Sequence, residues 1–293
     1  MSVFKGSAAA LVTPFTEDGA VDFPALEALV DFHVENGTDA LVVCGTTGEA
    51  ATLTDEEQIK CVRTAAARAA GRIPVIAGAG SNDTAHGARL SRECQAAGAD
   101  ALLLVTPYYN KCSQRGLIAH YTEIAGSVDI PVILYSVKSR TGVNIEPETA
   151  LTLSKIPNIT GIKEASGDIE QIAEIACLCG GGFDLYSGDD CCVLPVLSYG
   201  GSGVISVAAN LVPRDVAKMT RDFFSGDFES AKAAQLRLVP LVKALFCEVN
   251  PIPVKAAASL LGRPAGGYRK PLCPPSPESL EKIRSAMKGY GLL

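Results

Sequence analysis

A lysine inside an apolar run is the residue of this sequence that most invites chemistry. Lys163 stands in ITGIKEA (Ile159–Ala165), next to Ile162. A solvated lysine titrates near about 10.4 and is an ammonium at neutral pH. Burial favours the neutral amine, because the charged form is costly to desolvate. A neutral amine in a pocket adds to a ketone and, with loss of water, forms a Schiff base. The same spacing also fits a lysine at an exposed strand end, paired with a carboxylate.

Other polar residues close neighbouring apolar runs. Gly45-Thr46-Thr47-Gly48 follows ALVVC, and its two glycines permit a tight turn whose N–H groups and hydroxyls converge on a small carboxylate. It has neither the lysine of a phosphate-binding loop nor G-x-G-x-x-G spacing, so nucleotide binding is not expected. Arg140, in SRTG, could clamp a second carboxylate bidentately. Tyr109 and Tyr135 end two further runs, and tyrosine hydroxyls can relay protons. Each has a plainer reading: an ordinary βα turn, a solvated arginine, packing tyrosines.

These residues need a scaffold. Apolar, β-branched runs recur at Ala10–Phe15, Ala40–Gly45, Pro74–Gly80, Ala101–Tyr109, Pro131–Ser136, Ile159–Ala165, Phe183–Gly188 and Gly203–Val207. Between them lie stretches of helical periodicity; Thr54-Asp55-Glu56-Glu57, for example, reads as an N-cap with an acidic first turn. Continuous rather than alternating apolar strands indicate parallel strands buried on both faces. Eight such units predict a (β/α)8 TIM barrel over residues 1–225, with a C-terminal helical region at 226–293. That region predicts helices at Phe228–Val249, Pro253–Leu261 and Pro277–Lys288. An open doubly wound sheet shares the local pattern, but eight successive units favour the barrel.

Composition excludes other classes. With 47% hydrophobic and 20% charged residues the chain is not disordered. No run is long enough to span a bilayer and no secretory signal is visible, so a cytoplasmic enzyme without membrane association is expected. A net charge of −6 without a basic cluster argues against nucleic acid. The ten cysteines contain no C-x-x-C pair, and His33, His86 and His120 lie far apart. Neither cofactor nor metal is expected, and the cysteines read as small hydrophobes and free thiols.

Taken together, GTTGEAATLTDEE (Gly45–Glu57), VTPYYNKCSQRGL (Val105–Leu117), PVILYSVKSRTG (Pro131–Gly142), GIKEASGD (Gly161–Asp168), SGDD (Ser187–Asp190) and NPIPVKAA (Asn250–Ala257) run in order along the whole chain. The sequence resembles the dihydrodipicolinate synthase family of pyruvate-dependent class I aldolases. The resemblance implies that Lys163 forms a Schiff base with pyruvate and that Tyr135 shuttles protons beside it. It also implies that Thr46 links Tyr135 to Tyr109, donated by a second subunit. Thr47 would hold the pyruvate carboxylate, Arg140 that of L-aspartate 4-semialdehyde, and Gly188 and Ile205 would line the pocket. The implied reaction yields 4-hydroxy-tetrahydrodipicolinate, the entry to diaminopimelate and lysine biosynthesis. The implied assembly is a homotetramer, a dimer of tight dimers.

Two departures from the family pattern stand out. Ser136 and Lys138 replace an asparagine and a proline before Arg140, and losing the proline frees the backbone there. The positions matching the family's lysine-effector site are Ala50, Ala51, Asp55, Gln58, Asn82, His86 and Tyr108. Lysine-sensitive members typically carry glutamate where His86 stands, so weak or absent inhibition is expected. The rival readings are another pyruvate aldolase, such as N-acetylneuraminate lyase, and a non-catalytic sensor on the same fold.

Overall fold

The computed structural model describes residues 2–293. Eight parallel strands close a barrel in chain order: β1 (Gly6–Ala10), β2 (Ala40–Val43), β3 (Val75–Gly78), β4 (Ala101–Val105), β5 (Val132–Ser136), β6 (Ile159–Glu164), β7 (Asp184–Ser187) and β8 (Gly203–Ser206). β8 returns to β1 with Gly6 opposite Gly203 and Ala8 opposite Ile205.

Burial on both faces explains the apolar strands. One face of each strand fills the barrel: Ala8, Ala10, Ala40, Val42, Ile76, Ala101, Leu103, Ile133 and Ile205 form a single interior cluster. Its small alanines make room for Tyr135 and Tyr186. Phe4 and Tyr186 plug the floor, their rings stacked with centroids 4.4 Å apart, and the Tyr186 hydroxyl donates to the Phe4 carbonyl at 2.8 Å. The opposite faces, such as Leu102, Leu104, Leu134 and Ile162, pack under the surrounding helices. Each such side chain contributes roughly 1.5–3 kcal/mol when fully buried.

Local signals set the helix starts. The Thr54 hydroxyl accepts the Glu57 N–H while the Glu57 carboxylate accepts the Thr54 N–H, so this capping box opens helix Asp55–Ala69. Asp168 accepts the N–H groups of Glu170 and Gln171 and opens helix Ile169–Cys179 just after β6. The C-terminal helices Phe228–Leu245, Ile252–Leu260 and Pro277–Tyr290 share a core with the barrel's flank, where Leu238, Val254, Ile283 and Met287 join Leu211 and Val216.

Three expectations are corrected. The first strand is Gly6–Ala10, not Ala10–Phe15. Gly-Ser-Ala-Ala-Ala has weak strand propensity, but small side chains suit the crowded barrel wall. The apolar run after it is a buried loop, with the Leu11 N–H still donating to the Val42 carbonyl at 3.0 Å. The fourth strand ends at Val105, which leaves Tyr108 and Tyr109 in a loop. A helical turn, Lys138–Thr141, takes up the segment where proline is lost, so the backbone at Arg140 is held: its N–H donates to the Val137 carbonyl at 2.9 Å.

Among the described residues no helix is long and apolar enough to cross a membrane, and no group of three or more His, Cys, Asp or Glu side chains could hold a metal ion. All ten cysteines are free, with Cys44, Cys61 and Cys94 buried.

Candidate active site

Barrel enzymes carry their chemistry where the strands' C-terminal ends open into loops. Here β5 and β6 pair with Tyr135 opposite Lys163, so both side chains rise on the interior face. The Lys163 Nζ lies 4.2 Å from the centre of the Tyr135 ring. Both are buried, Lys163 at 5% exposure, yet both line a cavity of about 400 Å³ that opens at the barrel mouth. Thr47, Arg140, Gly188, Asp189 and Asn250 line the same cavity.

Gly188 is a packing requirement. A Cβ there would stand 2.6 Å from the Ala165 Cβ, 3.0 Å from the Glu164 carbonyl oxygen and 3.1 Å from the Lys163 Cε. The bare backbone of residue 188 thus gives the lysine stem its channel. On the outer face of β6, the Glu164 carboxylate accepts the Ser166 N–H at 2.6 Å and the Gln171 amide at 3.2 Å. Burial pushes its carboxyl above the ordinary range, against those hydrogen bonds. Gln171 continues through Asn144 to Ser136, which ties β5 to β6 behind Tyr135 and Lys163.

The threonine turn is bracketed by strain and by a buried ion pair. Cys44 and Glu49, neither a glycine, hold positive φ of 55° and 56°. Gly78 lets the turn's base approach β3, because a Cβ there would lie 2.2 Å from the Cys44 carbonyl oxygen. The Gly48 and Glu49 N–H groups are used inside the turn, on Gly45 and Thr46. Among the described residues no acceptor takes the Thr46 or Thr47 N–H. Thr13 donates to the Gly48 carbonyl at 2.6 Å. The Glu49 carboxylate meets Lys255 Nζ at 2.7 Å and the Arg269 N–H at 3.2 Å, and both ionic side chains are fully buried. Lys255 also donates to the Thr13 carbonyl at 2.9 Å. Desolvation pulls the Lys255 ammonium below its ordinary range, against the attraction of Glu49.

The expected residues are therefore only partly assembled. Lys163, Tyr135, Thr47, Arg140 and Gly188 share the cavity. Ile205 does not line it: it belongs to the interior cluster with Tyr135, and Val207, two residues on, takes the place at the mouth. Thr46 is half-buried and makes no side-chain hydrogen bond to Tyr135 or Tyr109 within the chain. Tyr109 stands 92% exposed on a backbone with φ of 70°, outside its own chain's cavity.

The expected effector positions do fall together. His86 Nε2 meets Asp55 at 2.9 Å, Asn82 donates to the Tyr108 carbonyl at 3.2 Å, and Gln58 donates to the Ala50 carbonyl at 3.1 Å; Ala51 is exposed beside them. Sequence reasoning missed Asn250, whose side-chain amide reaches Thr47, and Lys255. The NPIPVK stretch was the available signal, a polar pair set in an otherwise apolar segment.

A buried lysine at the open end of a (β/α)8 barrel, beside a tyrosine and in one cavity with a threonine and an arginine, defines a lysine-dependent aldolase of the barrel class. The comparisons narrow this class. A model of the dihydrodipicolinate synthetase family matches residues 3–289. A 4-hydroxy-tetrahydrodipicolinate synthase of Thermoanaerobacter sp. (strain X514) is 55% identical over 294 residues, covering 100% of this chain and 99% of the relative. The crystal structure of dihydrodipicolinate synthase from Aquifex aeolicus is 48% identical with a TM-score of 0.96, covering 99% of both chains. That of the chloride-inhibited enzyme from Acinetobacter baumannii, complexed with pyruvate, is 42% identical with a TM-score of 0.96 and the same coverage. The chain belongs to the dihydrodipicolinate synthetase family.

Proposed function

We propose that this chain condenses pyruvate with L-aspartate 4-semialdehyde to give 4-hydroxy-tetrahydrodipicolinate, the entry step of diaminopimelate and lysine biosynthesis. The observation that carries the reading is the buried Lys163 amine beside Tyr135, in one cavity with Thr47 and Arg140.

In this reading the neutral Lys163 amine adds to the pyruvate ketone and water leaves, giving an imine. The protonated imine draws electrons from the methyl carbon, a proton departs, and an enamine forms. The enamine carbon bonds to the aldehyde carbon of the second substrate. That substrate's amine then displaces the lysine and closes the ring. Several steps move protons, which suits a chain of hydroxyls, Tyr135 to Thr46 to Tyr109, rather than one base. Thr47 and the free N–H groups of its turn hold the pyruvate carboxylate; Arg140 holds the other substrate's carboxylate.

The exposure of Tyr109 favours a partner: a second copy of the chain would accept it and complete its own relay. We extend this to a homotetramer made of two tight dimers, working in the cytoplasm. Residues 1–225 carry the chemistry, and 226–293 form a supporting helical unit.

The test is a direct rate comparison. Purified enzyme is supplied with pyruvate and L-aspartate 4-semialdehyde, and separately with N-acetylneuraminate. Ring-forming condensation at a rate typical of an enzyme, with no sialate cleavage, is expected. Cleavage without condensation would replace the reading with its lyase rival, and neither activity would favour a sensor.

A further inference from the structure

The two anion-binding groups proposed above are joined by one residue that has no role in that reaction scheme. The Asn250 Nδ2 donates to the Thr47 Oγ1 at 2.9 Å. The main-chain carbonyl of Asn250 accepts from the Arg140 Nη2 at 3.1 Å. Asn250 is buried, lies between the C-terminal helices Phe228–Leu245 and Ile252–Leu260, and lines the same cavity as its two partners.

The direction of the first bond matters. A threonine hydroxyl has one hydrogen and two acceptor lone pairs. The Asn250 amide occupies a lone pair, so the hydroxyl's own hydrogen remains for the cavity. A hydroxyl that accepts a hydrogen bond is also a better donor. With the amide reversed, Thr47 would spend its hydrogen on Asn250, and a buried NH2 would be left unpaired. The arrangement here leaves only the Asn250 Oδ1 without a partner. An under-satisfied carbonyl is the more tolerated of the two. Five residues on, Lys255 grips Glu49, so the segment 250–255 holds the C-terminal half of the threonine turn at two points.

We infer that Asn250 is a positioning residue: its amide aims the Thr47 hydroxyl at the pyruvate carboxylate, while its carbonyl holds Arg140 over the adjoining carboxylate site. The inference rests on the pyruvate reading and adds to it a positioning role for the C-terminal region.

A double-mutant cycle tests it, with Asn250→Ala, Thr47→Val and the pair measured for the KM of pyruvate, kcat and thermal midpoint. Each single change is expected to raise the KM for pyruvate about tenfold or more, with a smaller effect on kcat. The pair is expected to match the worse single variant, because Asn250 acts through Thr47. Asn250→Asp keeps the shape but can only accept, so it should raise the KM further than alanine does; it also serves if the alanine variant fails to fold. Effects that multiply in the pair, or an unchanged KM in the folded Asn250 variants, would overturn the assignment. Borohydride trapping of pyruvate on the unaltered enzyme separates the two claims. An adduct with multiplicative effects removes only the role of Asn250, whereas no adduct removes the pyruvate reading itself.

Discussion

Lys163 and Tyr135 face each other across β5 and β6, and the amine of one lies 4.2 Å above the ring of the other. Register alone fixes this contact, since opposite residues of paired strands point to the same face. The pair sits where the interior cluster ends and the cavity begins, with apolar packing below and polar loops above.

The bare backbone at Gly188 is the third member of this arrangement. Gly188→Ala would press a methyl group against the Lys163 Cε and the Glu164 carbonyl. A displacement of the amine by a fraction of an ångström should lower kcat by about 10- to 100-fold. Steady-state kinetics with thermal melting checks this: activity should fall further than the modest destabilisation expected of overpacking.

The Glu49–Lys255 pair is fully buried, so its two halves are not equivalent to a surface ion pair. Lys255→Met leaves the Glu49 carboxylate short of its counter-charge, and a loss of about 3–5 kcal/mol is expected. Combining it with Glu49→Leu removes the orphaned charge and should restore part of the loss. Chemical denaturation of both variants measures the difference; equal destabilisation would contradict the ion-pair account.

His33 gives the fold a defined weakness to acid. Burial, helped by the charge of Arg263, lowers its imidazole from about 6.5 to about 3. The unfolded chain therefore takes up a proton that the folded chain refuses. The resulting penalty is absent above about pH 6.5 and grows as pH falls toward 3, at up to roughly 1.4 kcal/mol per pH unit. His33→Asn should flatten the acid limb of a stability–pH curve by about one proton. An unchanged slope would show that His33 is not the group responsible.

Feedback by lysine is expected to be weak or absent. At the matching positions the Asp55 carboxylate already meets His86 at 2.9 Å and Arg89 at 2.6 Å. These partners hold the Asp55 carboxyl below the usual range, His86 foremost. An incoming ammonium therefore finds an engaged acid and no glutamate at position 86. Rate measurements with submillimolar lysine should show no inhibition; clear inhibition there would overturn this reading.

The strand and helix rhythm was legible because apolar runs and caps are local. Lys163 was legible because a charge interrupted such a run. The first strand was not, since alanines that suit a barrel wall carry no strand signal of their own, while the louder Leu11-Val12 run beside them is loop. The partnership of Asn250 with Thr47 spans 203 residues, and that of Lys255 with Glu49 spans 206; only folding brings them together. A helical lysine such as Lys255 reads in sequence as a solvated side chain, whereas here it is wholly buried. Tyr109 was legible as a residue type, but nothing in its sequence neighbourhood shows that the fold leaves it 92% exposed.

The central claim is that the amine of Lys163 bonds to pyruvate. Enzyme mixed with pyruvate, reduced with borohydride and digested should show the reduced pyruvate adduct on the peptide that contains Lys163, and Lys163→Arg should abolish it. An adduct on another lysine, or none at all with folded enzyme, would contradict the account.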